Sequence, residues 1–240
     1  MRVALMTVCY NEERLIKPFL SHIPDWVSKK LVLVSDRPWY GTKEKADKTA
    51  EIAESMGADV IVANWDNEES QRNTGLDMLQ DFDWILVLDP DEYLSDLDWH
   101  NLQGYLEPSR ADAIVVEGQY TYWKNGWVAT PPKDYQMLIA VRPSARFVDK
   151  RVVNTGYSVA PLWLHHMSWA KTDAEVLKKI THYAHAQDFD TDKWYKNVWL
   201  KWKPGMKDVH PTTPETLHDF VKAELPAEIE ALGLWPEQQK

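Results

Sequence analysis

The chain has 240 residues, a formal net charge of −10 and 44% hydrophobic residues. That length suffices for one large domain or two small ones with a substantial core, and no apolar run reaches the roughly 18 residues of a spanning helix. The acidic balance argues against a broad nucleic-acid or anionic-membrane surface, though not against a local basic patch. A single cysteine, Cys9, rules out an internal disulfide framework and fits a reducing cytoplasm. The apolar N-terminus runs at once into Asn11-Glu-Glu-Arg14, so it reads as a first strand and not as a signal peptide. Thirteen tryptophans are many for this length, and flat indoles suit core packing as well as stacking on sugars or bases.

Residues 2–8 read as a strand. Leu15, Ile16, Phe19 and Leu20 then mark one face of a helix. Pro18 is tolerable there if the helix starts near Arg14, because the first helical N–H groups need no internal partner. Residues 31–35 form a second apolar run, followed by a helix over 43–56 that Gly57 closes. A strand over 59–63, a helix over 67–80 and a strand over 83–88 complete a β-α-β-α-β-α-β order. Strands that read as unbroken apolar runs, alternating with helices, predict an α/β fold with a mostly parallel sheet flanked by helices.

After residue 95 the pattern loosens. Residues 112–120 and 137–148 read as strands joined by an aromatic, Pro-containing loop from Tyr120 to Asp134, and a helix over 173–187 precedes a Trp- and Pro-rich end. The expectation is one domain with a nucleotide-binding half, 1–95, and an acceptor-side, C-terminal helical half, 96–240.

The strongest chemical signal is Trp84-Ile-Leu-Val-Leu88 running straight into Asp89, Asp91 and Glu92. Clustered unpaired acids at a buried strand end are costly. A hard cation such as Mg²⁺ or Mn²⁺ makes the arrangement sensible, because it takes carboxylate oxygens and keeps positions open for phosphates. A plain strand end with an Asp-Pro turn is the alternative. In open parallel sheets, ligands bind beyond the carboxyl ends of the strands. The four strand ends present Thr7, Cys9, Asn11 and Glu12; Ser35, Asp36 and Arg37; Asn64 and Asp66 with Gln71-Arg-Asn73; and the acids after Leu88. They are predicted to converge on one crevice.

These strings together resemble the family 2 glycosyltransferases of GT-A (Rossmann-like) fold, of the bacterial and phage type. Cys9-Tyr-Asn-Glu-Glu-Arg-Leu-Ile16 is similar to their opening strand and helix, and Val34-Ser-Asp36 to their second strand and acidic turn. Gln71-Arg-Asn-Thr-Gly-Leu76 and Asp83-Trp-Ile-Leu-Val-Leu-Asp-Pro-Asp-Glu92 resemble two further segments, the latter carrying the DXD motif with Pro90 in place of the commoner Ala. The resemblance implies an inverting transfer from a nucleotide-diphosphate sugar, UDP-sugar first, assisted by Mn²⁺ or Mg²⁺. It implies that Asp36 contacts the base or ribose and that Thr7 to Glu12, including Cys9 and Asn11, wall the base pocket. Asp91 would ligate the metal, and Asp89 would hold the ribose or the metal through water. Arg72 is either a cationic contact to the diphosphate or a surface helix arginine. Leu162-Trp-Leu-His-His-Met-Ser-Trp169 resembles a strand end that supplies a further metal ligand. His165 and His166 point to opposite faces of such a strand, so one of them is expected to serve, His166 ahead of His165.

For the general base that an inverting transfer needs, Asp134 is the first candidate and Glu117 the second. Val153-Asn-Thr155 departs from the Val-His-Glu of relatives. Tyr122, Trp123 and Trp127, with Tyr120, are candidates for an acceptor platform or for a hydrophobic cluster pinning the loop. His182 and His185 fall opposite the apolar face of their helix and read as solvent-facing or near the mouth of the crevice. Lys196, Lys201, Lys203 and Lys207 interleave with Trp194, Trp199 and Trp202, as in an amphipathic helix packed on the domain or a membrane-surface contact. The expected acceptor is a glycan, a lipid-linked glycan, a protein or a modified nucleobase. Two other functions fit the pattern less well. A nucleotidyltransferase would carry glycine where Asn11-Glu-Glu-Arg14 stands, and a silent binding module would have little use for the acids.

Overall fold

The computed structural model describes residues 1–124, 126–132, 136–214 and 217–236. β1 (Val3–Cys9) is buried along its whole length and lies between β2 (Val27–Ser35) and β4 (Trp84–Val87), parallel to both. β3 (Asp59–Ala63) continues the sheet, parallel to β2. The chain therefore winds outward through β1, β2 and β3 and crosses back to the other side of β1. That reversal opens a crevice beyond the carboxyl ends of β1 and β4.

The first helices pack as their patterns predict. α1 (Glu13–His22) buries Leu15, Ile16, Phe19 and Leu20. Pro18 sits in its interior, not near its start, and denies the Arg14 carbonyl an intrahelical donor on a half-buried side. α2 (Thr49–Ser55) is shorter than the predicted 43–56. The preceding stretch is tied to the β1–α1 turn instead: Glu44 N–H donates to the Tyr10 hydroxyl at 2.9 Å, and Asp47 N–H to Asn11 Oδ1 at 3.1 Å. Gly57 closes α2 at φ +78°, where a side chain would be strained. α3 (Glu68–Met78) is capped by Asn67, whose side chain accepts from Ser70 N–H. It lies close on the sheet at Gly75, where a Cβ would overlap the Met6 side chain and press on Leu33.

The second half extends the same sheet. After β5 (Glu92–Tyr93) come α4 (Asp96–Leu106), β6 (Ala113–Trp123), β7 (Trp127–Thr130), β8 (Leu138–Val141), β9 (Phe147–Asp149), β10 (Val152–Val153) and β11 (Tyr157–Trp169). α5 (Asp173–His182), α6 (Thr191–Trp194), a π-turn (Tyr195–Trp199), β12 (Asp219–Lys222) and α7 (Ala227–Glu230) complete the described chain. The strand order is β12-β7-β6-β8-β4-β1-β2-β3, with β11 along β6 and β5 along β11. β8 runs antiparallel between β4 and β6, so one sheet passes unbroken from the first half into the second.

Several expectations change here. α4 was not read, although Ser95 caps it from Asp98 N–H and Trp99, Leu102 and Leu106 form its buried stripe. The stretch from Tyr120 is no loop: β6 runs on to Trp123 and folds back as the β6–β7 hairpin. Residues 137–148 split into β8 and one strand of a separate β9–β10 ribbon. α5 ends at His182, short of the predicted 187, and its Leu177 is exposed. The tryptophans of 194–202 pack inward with Trp123 and Trp169 in a third apolar cluster. No helix among the described residues is long and apolar enough to cross a membrane.

Candidate functional site

A crevice of about 830 Å³ lies beyond β1 and β4. Cys9, Asn11 and Glu12 line it from β1, Ser35 from β2, and Asp89, Asp91 and Glu92 from the turn after β4. His166 comes from β11, and Lys171 and Lys179 from the chain that follows. All four predicted groups reach the crevice, the third through Gln71 of α3. Asn64 and Asp66, beyond β3, stay out of the lining, and Asp66 makes a loose 3.7 Å pair with Arg37.

The clustered acids, read in the sequence as unpaired, have cationic partners within the protein. Arg72 Nη2 donates to both Asp89 oxygens at 2.9 and 3.2 Å, and Arg72 also pairs with Glu68 at 2.7 Å. Arg151 Nη1 donates to Glu92 Oε1 at 2.6 Å and lies 3.5 Å from Asp89, while its other terminal nitrogen donates to the Val87 carbonyl. The second Glu92 oxygen accepts from Asp89 N–H at 3.0 Å. Burial alone would lower the pKa of both guanidiniums; for Arg72 the charges of Asp89 and Glu68, and for Arg151 those of Glu92 and Asp89, raise it above the usual value. Arg72 is 1% exposed and sits behind Asp89, away from the lining. It positions that carboxylate, and the predicted direct contact to a diphosphate does not fit its burial.

Asp91 is the acid with neither arginine. Its Oδ1 lies 3.5 Å from His166 Nε2, and its Oδ2 lies 3.5 Å from Lys179 Nζ and 3.8 Å from Lys171 Nζ. Burial pushes its pKa up, but Lys179, His166 and Lys171 together hold it well below the usual carboxylate value. Glu12, 3.9 Å from Lys171, moves the other way: burial raises it and Lys171 only partly compensates. The Asp91 carbonyl accepts from Met167 N–H at 2.7 Å, and His166 stands opposite Glu92 in the β11–β5 register, which brings His166 to the acids.

His165 takes the opposite face. Its Nδ1 lies 2.7 Å from the Tyr122 hydroxyl and its ring stacks between Tyr120 and Tyr122. Burial pulls its pKa down to about 4. It is a packed core histidine, out of reach of the acids as a ligand. A divalent cation fits the other pair: two donors 3.5 Å apart, Asp91 and His166, are close enough to bind adjacent positions of one ion. No group of three His, Cys, Asp or Glu side chains among the described residues makes a full cage. Mg²⁺ and Mn²⁺ sites commonly keep only one or two protein ligands, with phosphate oxygens and water completing the shell.

Other predicted residues fall in different places. Thr7 is wholly buried within β1, its hydroxyl unpartnered among the described residues, so it walls nothing. Cys9 lines the crevice with its thiol pKa raised by burial and by Glu12. Asn11 stands at φ +54° and its amide bridges Lys45 and Asp47, bracing the wall. Asp36 is outside the lining, ion-paired to Lys43 at 2.7 Å. Glu117 is exposed on β6 and outside the crevice lining, and Asp134 lies outside the described residues. The acceptor platform is corrected: Tyr122 and Trp123 are buried, and Trp127 packs on Trp202 beneath Lys222.

Arg151, Lys171 and Lys179 were missed. For Lys179 a signal existed: it lies three residues after Val176 and one before Ile180, on the buried stripe of α5. Thr172 and Glu175 form a capping box that starts α5 directly after Lys171. His182 and His185 also line the crevice, in keeping with the second of their two expected places, near its mouth.

Comparison with known proteins matches residues 5–164 to the family model described as Glycosyl transferase family 2. A TPR repeat-containing protein of Synechococcus elongatus is 28% identical over 187 residues, covering 78% of this chain and 43% of that protein. The chain thus spans less than half the length of this curated relative. Among solved structures, S. aureus TarS in complex with UDP-GlcNAc is similar at a TM-score of 0.48 and 14% identity, over 74% of this chain and 64% of that one. GalNAc-T7 with UDP, GalNAc and Mn²⁺ is similar at 0.48 and 8%, over 83% and 50%.

Proposed function

Since the chain belongs to glycosyl transferase family 2, we propose that it transfers a sugar from a nucleotide-diphosphate donor, a UDP-sugar in the first instance, to an acceptor hydroxyl with inversion. The observation that carries this reading is Asp91, which meets His166, Lys171 and Lys179 on the crevice floor at the sheet's switch point. Cys9, Asn11 and Ser35 line the end of the crevice where the base and ribose would lie. Asp89, fixed by Arg72 and Arg151, presents a rigid carboxylate toward the ribose. Asp91 and His166 would hold Mn²⁺ or Mg²⁺, which when bound neutralises charge on the departing diphosphate.

The remaining chemistry belongs to the chain. Removal of the acceptor proton is assigned to Asp134, because the residues that follow it, Gln136 and Met137, line the crevice. His182, whose ring lies 5.8 Å from that of Tyr10 and whose Nδ1 is 3.9 Å from Glu44, belongs to the base-binding end of the crevice.

Calorimetric titration of UDP, GDP and CDP, with Mn²⁺ and then with EDTA, tests the donor class. One nucleotide should bind wild type more tightly with Mn²⁺ than in EDTA, and that metal-dependent gain should be lost in Asp91→Ala, while Asp134→Asn should keep the affinity and lose turnover. Failure of all three to bind in either buffer would end the proposal.

A further inference from the structure

The crevice differs in charge from the rest of the chain. Across the whole sequence 37 acids face 27 lysines and arginines. Around the crevice the two are nearly balanced, seven acids to six bases. Two of those bases are unusual. Lys171 is 6% exposed, yet its ammonium has only long contacts, 3.8 Å to Asp91 and 3.9 Å to Glu12, and no hydrogen bond among the described residues. An ammonium carries three donors and no acceptor, so Lys171 offers unfilled donors to the crevice that it lines. Lys179 gives two donors to Ser168, at 3.0 Å to its carbonyl and 2.8 Å to its hydroxyl. Its third approaches the same Asp91 oxygen that Lys171 approaches, at 3.5 Å.

Two ammonium groups are thus held against one carboxylate oxygen at more than hydrogen-bond length, both on the lining of an open crevice. They repel one another across Asp91. A multivalent anion placed between them would relieve that repulsion and supply short charge-assisted contacts of about 2.8 Å. Asp89 and Glu92 do not compete for them, because Arg72 and Arg151 already hold those two acids.

We propose that Lys171 and Lys179 form a built-in cation pair that receives the diphosphate of the nucleotide donor, so that the donor binds even without a divalent ion. This deepens the function proposed above and rests on it for the nucleotide, but not for the diphosphate.

The test is calorimetry in EDTA with two probes, UDP and inorganic pyrophosphate. Wild type should bind both, more weakly as salt is raised. Lys171→Met and Lys179→Met should each lower affinity about tenfold or more, as loss of a charge-assisted hydrogen bond does. Lys171→Arg and Lys179→Arg, which keep the charge, should stay within about threefold, and thermal melts verify that every variant is folded. Binding of UDP only with Mn²⁺, unchanged in folded Met variants, would overturn the cation pair and leave the glycosyltransferase reading intact. Lysine-dependent binding of pyrophosphate with no binding of UDP, GDP or CDP would do the reverse. Silence of both probes in EDTA overturns the pair.

Discussion

The crevice floor and the tryptophan cluster are built on opposite principles. On the floor, Arg72, Arg151, Lys171 and Lys179 hold Asp89, Glu92 and Asp91 by charge, and the geometry is fixed by who pairs with whom. In the cluster, Trp123 packs within 4.9 Å of Trp199, 5.7 Å of Trp169 and 5.3 Å of Phe220, ring centre to ring centre, and shape decides. An abundance of tryptophan in the sequence suits a sugar platform as well as a core. Burial favours the core, because Tyr122 and Trp123 present no face to a ligand. Residue type therefore told less about role than access did.

The contrast can be broken by removing one member from each region. Arg151→Met strips Glu92, itself 1% exposed, of its partner, and should cost about 3–5 kcal/mol in urea denaturation. A loss below about 1 kcal/mol would mean the floor is not held by charge. Trp199→Ala should cost a similar ~3–5 kcal/mol by opening a void. Trp199 also loses its indole bond to Asp173 at 2.8 Å, whereas the Trp123 indole N–H has no partner among the described residues. Trp123→Phe should therefore be the milder of the two Trp→Phe changes.

A smaller effect separates the two adjacent histidines. The folded pKa of His165, about 4, lies below its ordinary value near 6.5, so between these limits the unfolded chain binds the extra proton. Stability from this residue is complete above pH 6.5 and should fall by about 3 kcal/mol as pH drops toward 4. Urea midpoints measured across that window should lose this slope in His165→Phe and keep it in His166→Phe. Gly75→Ala should cost about 1–3 kcal/mol, because the added methyl meets Met6 of β1 and Leu33 of β2 under α3. At the low end, Lys196→Ala removes an exposed pair with Asp192 and should shift stability by no more than about 0.5 kcal/mol. A larger shift there would show that the Lys-Trp stretch does more than pack its indoles.

Several misses had readable signals. Ser95 and Asp98 with Trp99, Leu102 and Leu106 spell out α4, and Asn125-Gly126 is a hairpin dipeptide in the sequence between β6 and β7. Others had none. Nothing near Arg151 in the sequence announces that it pairs with Glu92, 59 residues away.

By itself the sequence determined β1, α1, β3, α3 and β4 and placed Asp89, Asp91 and Glu92 at a strand end, because hydrophobic period and strand-end chemistry are local properties of the chain. Only the tertiary structure decided which cation meets which acid, that His166 and not His165 faces Asp91, and that Arg72 lies behind Asp89. Those outcomes depend on strand order and on the β11–β5 register, where a shift of one residue would exchange the two histidines between faces.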